Sequence, residues 1–331
     1  TGGQVVAGAA NIAQSGSTMN INQSSQRAVI NWSGFDVGAK ASVNFNQPNS
    51  QAATLNYVNS ASKSMINGAV NANGQVVFVN PNGVVFGKSA EVNVGGMVAT
   101  TMNTSSKDFM EGKAIQTYEG ENSNGKIVNK GSITGHSVDS YIALMAPHVK
   151  NTGVITATMG SNNAVALVAG QKVSLTFAGS QLVSVSVDAS VVNALISNKL
   201  LINAGGGQVI IAANAARDLM GGVIKNTGTI SANGISTAGG KISLVAHKVV
   251  QNGTVSANSE TANAGQIVIS GNQVQLGSSS QTTATGATAG GQILIGKTTQ
   301  NTAQSQINAK DISIAEGALV DASATLNGNG G

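Results

Sequence analysis

The sequence predicts an all-β protein: a right-handed parallel β-helix with three strands per coil, an N-terminal β cap and extra-helical β-hairpin elements. Three observations predict it. Short apolar runs alternate at period two with Asn, Ser and Thr, the mark of strands with one buried face. Two glycine-bearing phrases recur out of phase with one shared period, the mark of a solenoid. Aromatic residues are 3% and charged residues 9%, with 42 glycines and 3 prolines, so the surface falls to Asn, Gln, Ser, Thr and Gly.

The composition also excludes function classes. A hydrophobic fraction of 41% with so little charge argues against disorder. No apolar run approaches the roughly 20 residues that span a bilayer as a helix, which argues against a helical membrane protein. Cysteine is absent, so neither disulfides nor thiolate metal sites contribute, as suits an extracytoplasmic chain. Thr1-Gly2-Gly3 opens the chain without the charged and apolar regions of a signal peptide, as in a mature form or a chain that never had one. The net charge of +4 comes from 17 scattered Lys and Arg. A nucleic-acid surface needs clustered basic and aromatic contacts, so no nucleic-acid partner is expected.

Taken in order, residues 1 to 16 are small, with weak strand character at Gln4-Val5-Val6. From Ser17 the alternation is clear: Met19 and Ile21 against Asn20 and Asn22, then Val29 to Trp32, Phe35 to Val37, and Ala41 to Phe45. Seven of the ten aromatics (Trp32, Phe35, Phe45, Tyr57, Phe78, Phe86, Phe109) precede residue 110, as expected if large side chains close off one end of a core. Gln75 to Gly87 reads as strand, turn, strand around Asn80-Pro81-Asn82-Gly83. Proline presets φ at the second turn position and glycine relieves crowding at the fourth.

The first repeated phrase begins at Gly207, Gly240, Gly265 and Gly291, at intervals of 33, 25 and 26 residues, each time as Gly-Gln/Lys-apolar-x-apolar. The second is Asn129-Lys130-Gly131, Asn151-Thr152-Gly153, Asn226-Thr227-Gly228 and Gln251-Asn252-Gly253, each followed by a strand. In the unit from Gly240 the apolar pieces are Ile242 to Val245, Val249 to Val250 and Val255, hence three strands per coil. A leucine-rich repeat has a similar period, but its leucine framework and helical segment are absent. About a dozen coils at roughly 4.8 Å each predict a rod of roughly 50 to 60 Å.

Two stretches interrupt the period. Ala212 to Met220 is alanine-rich and predicts a short helical turn, and Ser190 to Asn198 another short helix. Residues 171 to 189 alternate around Ala178-Gly179-Ser180 and predict a β-hairpin laid against the coils. One β-helical domain over residues 1–331 is expected: cap and first coils in 1–110, further coils in 111–320, and a low-complexity tail in 321–331. An uncapped last coil leaves an open strand edge, so the natural chain is expected to continue past Gly331.

Polysaccharide-cleaving β-helices need carboxylates on one face of successive coils, often with an acidic calcium site. The 13 acids here are dispersed. Asp108, Glu111, Glu119 and Glu121 form the densest group, in a segment without strand pattern that reads as a solvated loop. His136, His148 and His247 are isolated, and aligning Gly153 with Gly253 pairs His148 with Lys248, so no catalytic residue, metal site or cofactor is expected. Gly205-Gly206-Gly207 lacks the context of a dinucleotide loop and reads as a coil corner. Thr282-Thr283-Ala284-Thr285 has no counterpart in other coils, which argues against an ice-binding threonine ladder.

Met19 to Gln23, Ala28 to Val37, Val43-Asn44-Phe45 and Asn71 to Val84, with Asn80-Pro81-Asn82-Gly83 at their centre, closely resemble the N-terminal secretion domain of two-partner secretion exoproteins, the family of filamentous haemagglutinin and the high-molecular-weight adhesins. The resemblance is dense over residues 17 to 110 and looser to Asn226-Thr227-Gly228. It implies a right-handed β-helix with an N-terminal cap, and a role in secretion rather than catalysis. It implies Sec export, recognition in the periplasm by the POTRA domains of an outer-membrane TpsB-type β-barrel transporter, and folding at the surface of a Gram-negative bacterium. A second family motif, Asn-Pro-Asn-Leu, has its nearest counterpart in Asn46-Gln47-Pro48-Asn49, which departs from it.

Such an address is read before the coils form, so extended strands carrying Met19, Ile21, Val43 and Phe45 are expected to add to a transporter sheet edge. The chain is expected to be monomeric. Its parent is expected to be an adhesin in host attachment or biofilm formation, binding host receptors or polysaccharide, with haemolysin or contact-dependent toxin also open. A carbohydrate-binding or carbohydrate-cleaving β-helix is the alternative.

Overall fold

The computed structural model describes residues 2–120, 125–188, 194–213, 222–297 and 308–331. Its coils are those anticipated. In the unit from Gly240, Lys241–Ala246, Lys248–Gln251 and Thr254–Ser256 lie on three separate faces of a parallel β-helix. Each strand pairs in parallel with its counterparts in the neighbouring coils: Val249, for example, with Ile224 and Val274. One face carries ten successive parallel pairings from Thr18–Gln23 to Leu319–Asp321. At about 4.8 Å each, that makes a rod of roughly 50 Å.

Both phrases have a steric or hydrogen-bonding cause. A Cβ on Gly240, Gly265 or Gly291 would collide with the carbonyl oxygen of the glycine one coil earlier, so the column admits only glycine. Inside the second phrase runs a fully buried amide ladder. Asn129 Nδ2 donates to Asn151 Oδ1 at 2.9 Å, Asn151 to Asn198 at 2.9 Å, Asn198 to Asn226 at 2.8 Å, and Asn226 to Gln251 Oε1 at 2.7 Å. Beside it Ile133, Ile155, Ile202, Ile230 and Val255 stack in register with no exposed surface, each burial contributing about 1.5–3 kcal/mol.

At the N-terminal end, Gln4–Ala7 pairs antiparallel with Arg27–Trp32, and Ala10–Ser15 antiparallel with Thr18–Gln23. These strands cover the first coil. Beneath them sit the early aromatics: Trp32 and Phe35 meet edge to face at 5.1 Å, and Phe35 and Phe78 lie 5.0 Å apart. Trp32 Nε1 donates to the buried Asn56 Oδ1 at 2.9 Å, so the ring is satisfied at its polar end.

The hairpin predicted at 171 to 189 is present as Lys172–Ala178 and Gln181–Asp188, turning at Gly179 with φ +63°. With Asn103–Thr104 and Ile115–Glu119 it forms a four-stranded antiparallel sheet outside the coils. Its apolar face (Tyr118, Val173, Leu175, Leu182) packs on Val77, Val98, Ala143, Met145 and Ala166. That second layer explains why Tyr141–Met145 and Ala164–Ala169 are buried at every position, inward and outward alike.

Three expectations need correction or limitation. Ala194–Asn198 is a strand rather than a helix, pairing in register with His148–Asn151 and Gly222–Asn226; stacking a short apolar run outweighs its helical propensity. The acidic segment is not a loop. Asp108 and Glu111 lie on a helix, Ser106–Glu111, whose N-cap Ser105 accepts from the Asp108 amide and whose C-cap Gly112 is left-handed, while Glu119 ends a strand. Ala212 and Ala213 end the strand Gln208–Ala213, and the remainder of the alanine-rich stretch, like Glu121 and the start of the 190–198 stretch, lies outside the described residues.

Candidate functional site

The Asn80–Gly83 turn is built from both sides of the coil wall. Asn80 is fully buried. Its Nδ2 donates to Ser62 O at 3.1 Å and Ser64 Oγ at 3.0 Å, while its Oδ1 accepts from the Asn82 amide at 2.9 Å. The Gly83 amide donates to Asn80 O at 2.9 Å, closing the four-residue turn that Pro and Gly favour. Gly83 has φ +107°, and a Cβ there would stand 2.6 Å from Lys126 O in the next coil, so conformation and space both require glycine. Pro81 and Asn82 are exposed, with Asn82 Nδ2 donating to Ser60 O at 2.7 Å. Asn80 therefore anchors the turn and Pro81-Asn82 presents it. The partners Ser60, Ser62 and Ser64 carry no sequence signal, because the contact spans a loop that the periodicity does not describe.

The departure at Asn46-Gln47-Pro48-Asn49 has a structural cause. Gln47 is buried, and its side chain ties neighbouring coils: Nε2 lies 2.9 Å from Gln75 O, 3.1 Å from Ala52 O and 3.1 Å from Thr54 Oγ1, and Oε1 accepts from the Gly74 amide at 2.9 Å. Asn49 caps its own turn by accepting from the Gln51 amide at 2.9 Å, and Asn46 Nδ2 donates to Asn22 at 2.8 Å. Pro48 is exposed.

Thr18–Gln23 and Ser42–Asn46 are neighbouring parallel rungs, in register Met19 with Val43 and Ile21 with Phe45. Ile21, Val43 and Phe45 point into the core, and Met19 packs against it. The alternate asparagines bond along the outside, Asn44 to Asn20 and Asn71 to Asn44, each at 3.0 Å. Structure thus unites the four strand residues in one face and places the Asn80 turn, on a corner, apart from them.

Asp108, Glu111 and Glu119 are engaged with lysines. Lys113 pairs with Asp108, which holds that carboxyl below its usual range, and with Glu111 at 3.6 Å; Lys172 pairs with Glu119 at 2.6 Å. His148 shares its column with Leu195, Val223 and Lys248, as the alignment predicted. Burial first, and then Lys126, lower its pKa. Among the described residues no cluster of three His, Cys, Asp or Glu stands ready for a metal, and no helix is long and apolar enough to cross a membrane.

The model of the TPS secretion domain matches residues 1–257. The chain belongs to the TPS secretion domain family. Two curated relatives from Haemophilus influenzae, each named heme/hemopexin-binding protein, are 29% and 30% identical over 251 and 248 residues, or 75% and 70% of the chain. Those matches take in 27% and 26% of the relatives' own length, so the TPS domain here spans about a quarter of them. The crystal structure of the HMW1 secretion domain from the same organism superposes with a TM-score of 0.81 at 27% identity, covering 98% of this chain and 84% of that one. The TPS domain is the secretion domain of a two-partner secretion exoprotein, a class secreted across the outer membrane of Gram-negative bacteria, and it implies a cognate outer-membrane TpsB transporter.

Proposed function

We propose that this TPS domain is a non-catalytic address for a larger exoprotein, read in the periplasm after Sec export by the POTRA domains of its TpsB transporter and then serving as the first folded coils outside the cell. The observation that carries the reading is the burial of Ile21, Val43 and Phe45 in the finished coils, under an antiparallel cap. Side chains that alternate so cleanly are available to a partner only while the chain is extended. In that state the apolar set fits the pockets beside a sheet edge and the backbone supplies the bonds. Once outside, each docking coil buries new apolar surface and disfavours return.

In this reading Asn80, Pro81, Asn82 and Gly83 serve export by building the corner on which later coils stack, with exposed Asn82 the group left to touch a partner. Asn46, Gln47, Pro48 and Asn49 act in the same way, through the coil-to-coil bonds of Gln47. The parent acts in adhesion or biofilm formation, or in capture of a host haem carrier as the names of its relatives suggest, through regions beyond this domain.

The test is binding of a peptide covering residues 17 to 46 to purified POTRA domains. Saturable binding, lost with Ile21→Asp and Val43→Asp, is expected. No binding, or binding indifferent to those charges, would sink strand addition.

A further inference from the structure

We propose that the cleft between the coils and the extra-helical sheet is a binding site for one acidic sugar residue, a monosaccharide ring bearing a carboxylate. The cavity is about 240 Å³, smaller than the roughly 300 Å³ at which drug-sized pockets begin, and suits a single ring. The coils contribute Gln26, Arg27, Gln75 and Tyr141 to its wall, and the outer layer Gln116 and Phe177.

Two observations point independently to a ligand. Arg27 is half-buried with its guanidinium 5.4 Å from the Phe109 ring centroid, and among the described residues it has no carboxylate partner; the ion pairs there belong to Lys107, Lys113 and Lys172. Lys113 also lines the cavity, but its ammonium is engaged by Asp108 and Glu111. The free cation is therefore Arg27, whose planar fork matches a carboxylate. Across the cleft, the buried Gln116 spends its Nε2 on Lys113 O at 2.8 Å and Asp108 O at 3.4 Å, leaving its buried Oε1 without a partner. That oxygen has no accessible surface, so a ligand hydroxyl satisfies it only when the Gln116 amide turns toward the cleft.

The rest of the wall selects a sugar over a peptide carboxylate. Gln51 presents a whole amide and Gln75 its Nε2, which donate and accept as vicinal hydroxyls require, while the Gln26 amide is taken up by a reciprocal pair with Asn49 at 3.2 and 3.0 Å. Tyr141 donates to Gln75 Oε1 at 3.0 Å, and its ring meets Phe177 at 5.0 Å, giving an apolar flank for a ring face. None of this depends on how the chain is secreted.

The test is calorimetric titration of the folded chain with D-glucuronate, D-galacturonate and N-acetylneuraminate, beside D-glucose, acetate and the peptide Gly-Asp-Gly. At least one acidic sugar is expected to bind saturably. D-glucose and acetate, each lacking half of the match, should bind about tenfold more weakly or worse. Arg27→Gln should weaken the sugar about tenfold or more, the loss of a charge-assisted pair, and Arg27→Lys less so. Amide shifts at residues 112 to 118 would place the ligand, and circular dichroism would certify folding of each variant. No saturable sugar binding, binding unchanged in both folded Arg27 variants, or acetate or Gly-Asp-Gly binding as tightly as the sugars would overturn the proposal.

Discussion

Asn80 and Asn82 separate two roles that a four-letter motif runs together. Replacing Asn80 by alanine removes three side-chain hydrogen bonds and strands the Ser64 hydroxyl and the Ser62 carbonyl, for an expected loss of about 3 kcal/mol in urea unfolding. Asn82→Ala removes one exposed bond to Ser60 and should cost about 1 kcal/mol or less. If Asn82→Ala nonetheless halts export at near-normal stability, the exposed amide is a contact group; if export is normal, the motif acts through folding alone. Gly83→Ala should be worse than either, because φ +107° and the Lys126 carbonyl both oppose a Cβ.

His148 supplies a pH signature at the same scale. Its folded pKa is lowered, so the unfolded chain takes up the proton first. Its contribution is intact above the unfolded pKa of about 6.5 and is lost as pH falls from there toward the folded value. A thermal melt series from pH 7.5 to 5 should show a small loss that His148→Gln lacks.

At the level of elements, the amide ladder links separate coils into one cooperative unit. Asn198 sits mid-ladder, donating to Asn226 and accepting from Asn151, so Asn198→Ala breaks two rungs of the ladder, whereas Gln251→Ala, at its end, breaks one and loses the 2.9 Å bond from Gln251 Nε2 to the Gly253 carbonyl. The expected costs are about 2–4 and about 1–2 kcal/mol, read by urea unfolding. Legibility follows the same physics. The Asn-x-Gly phrase was visible because one rung repeats one chemical need, and the hairpin at 172 to 188 because alternation over a Gly turn is local. Ala194 to Asn198 was misread because five residues of mixed pattern do not distinguish strand from helix, and only the rungs at 148–151 and 222–226 decide. The helix Ser106–Glu111 had a legible Ser105 cap and a Gly112 stop, but its six residues give too little periodicity to stand out.

Across the whole molecule, the period and the clustering of aromatics before residue 110 announced a capped rod. The outer sheet's seat over Tyr141–Met145 and Ala164–Ala169 was not announced, since a continuously apolar strand reads the same whether its second face meets a core or another layer. Nor was the Arg27 cleft, which joins residues 27, 75, 116, 141 and 177 only through that seat. The central claim is that this domain alone addresses a chain to a TpsB transporter. Expressing residues 1–331 behind a Sec signal in a Gram-negative host, with and without the transporter of its own system, and measuring the fraction outside the cell tests it most directly. The expected result is folded domain in the medium only with the transporter. Equal release without it, or retention in the periplasm despite it, would contradict the account.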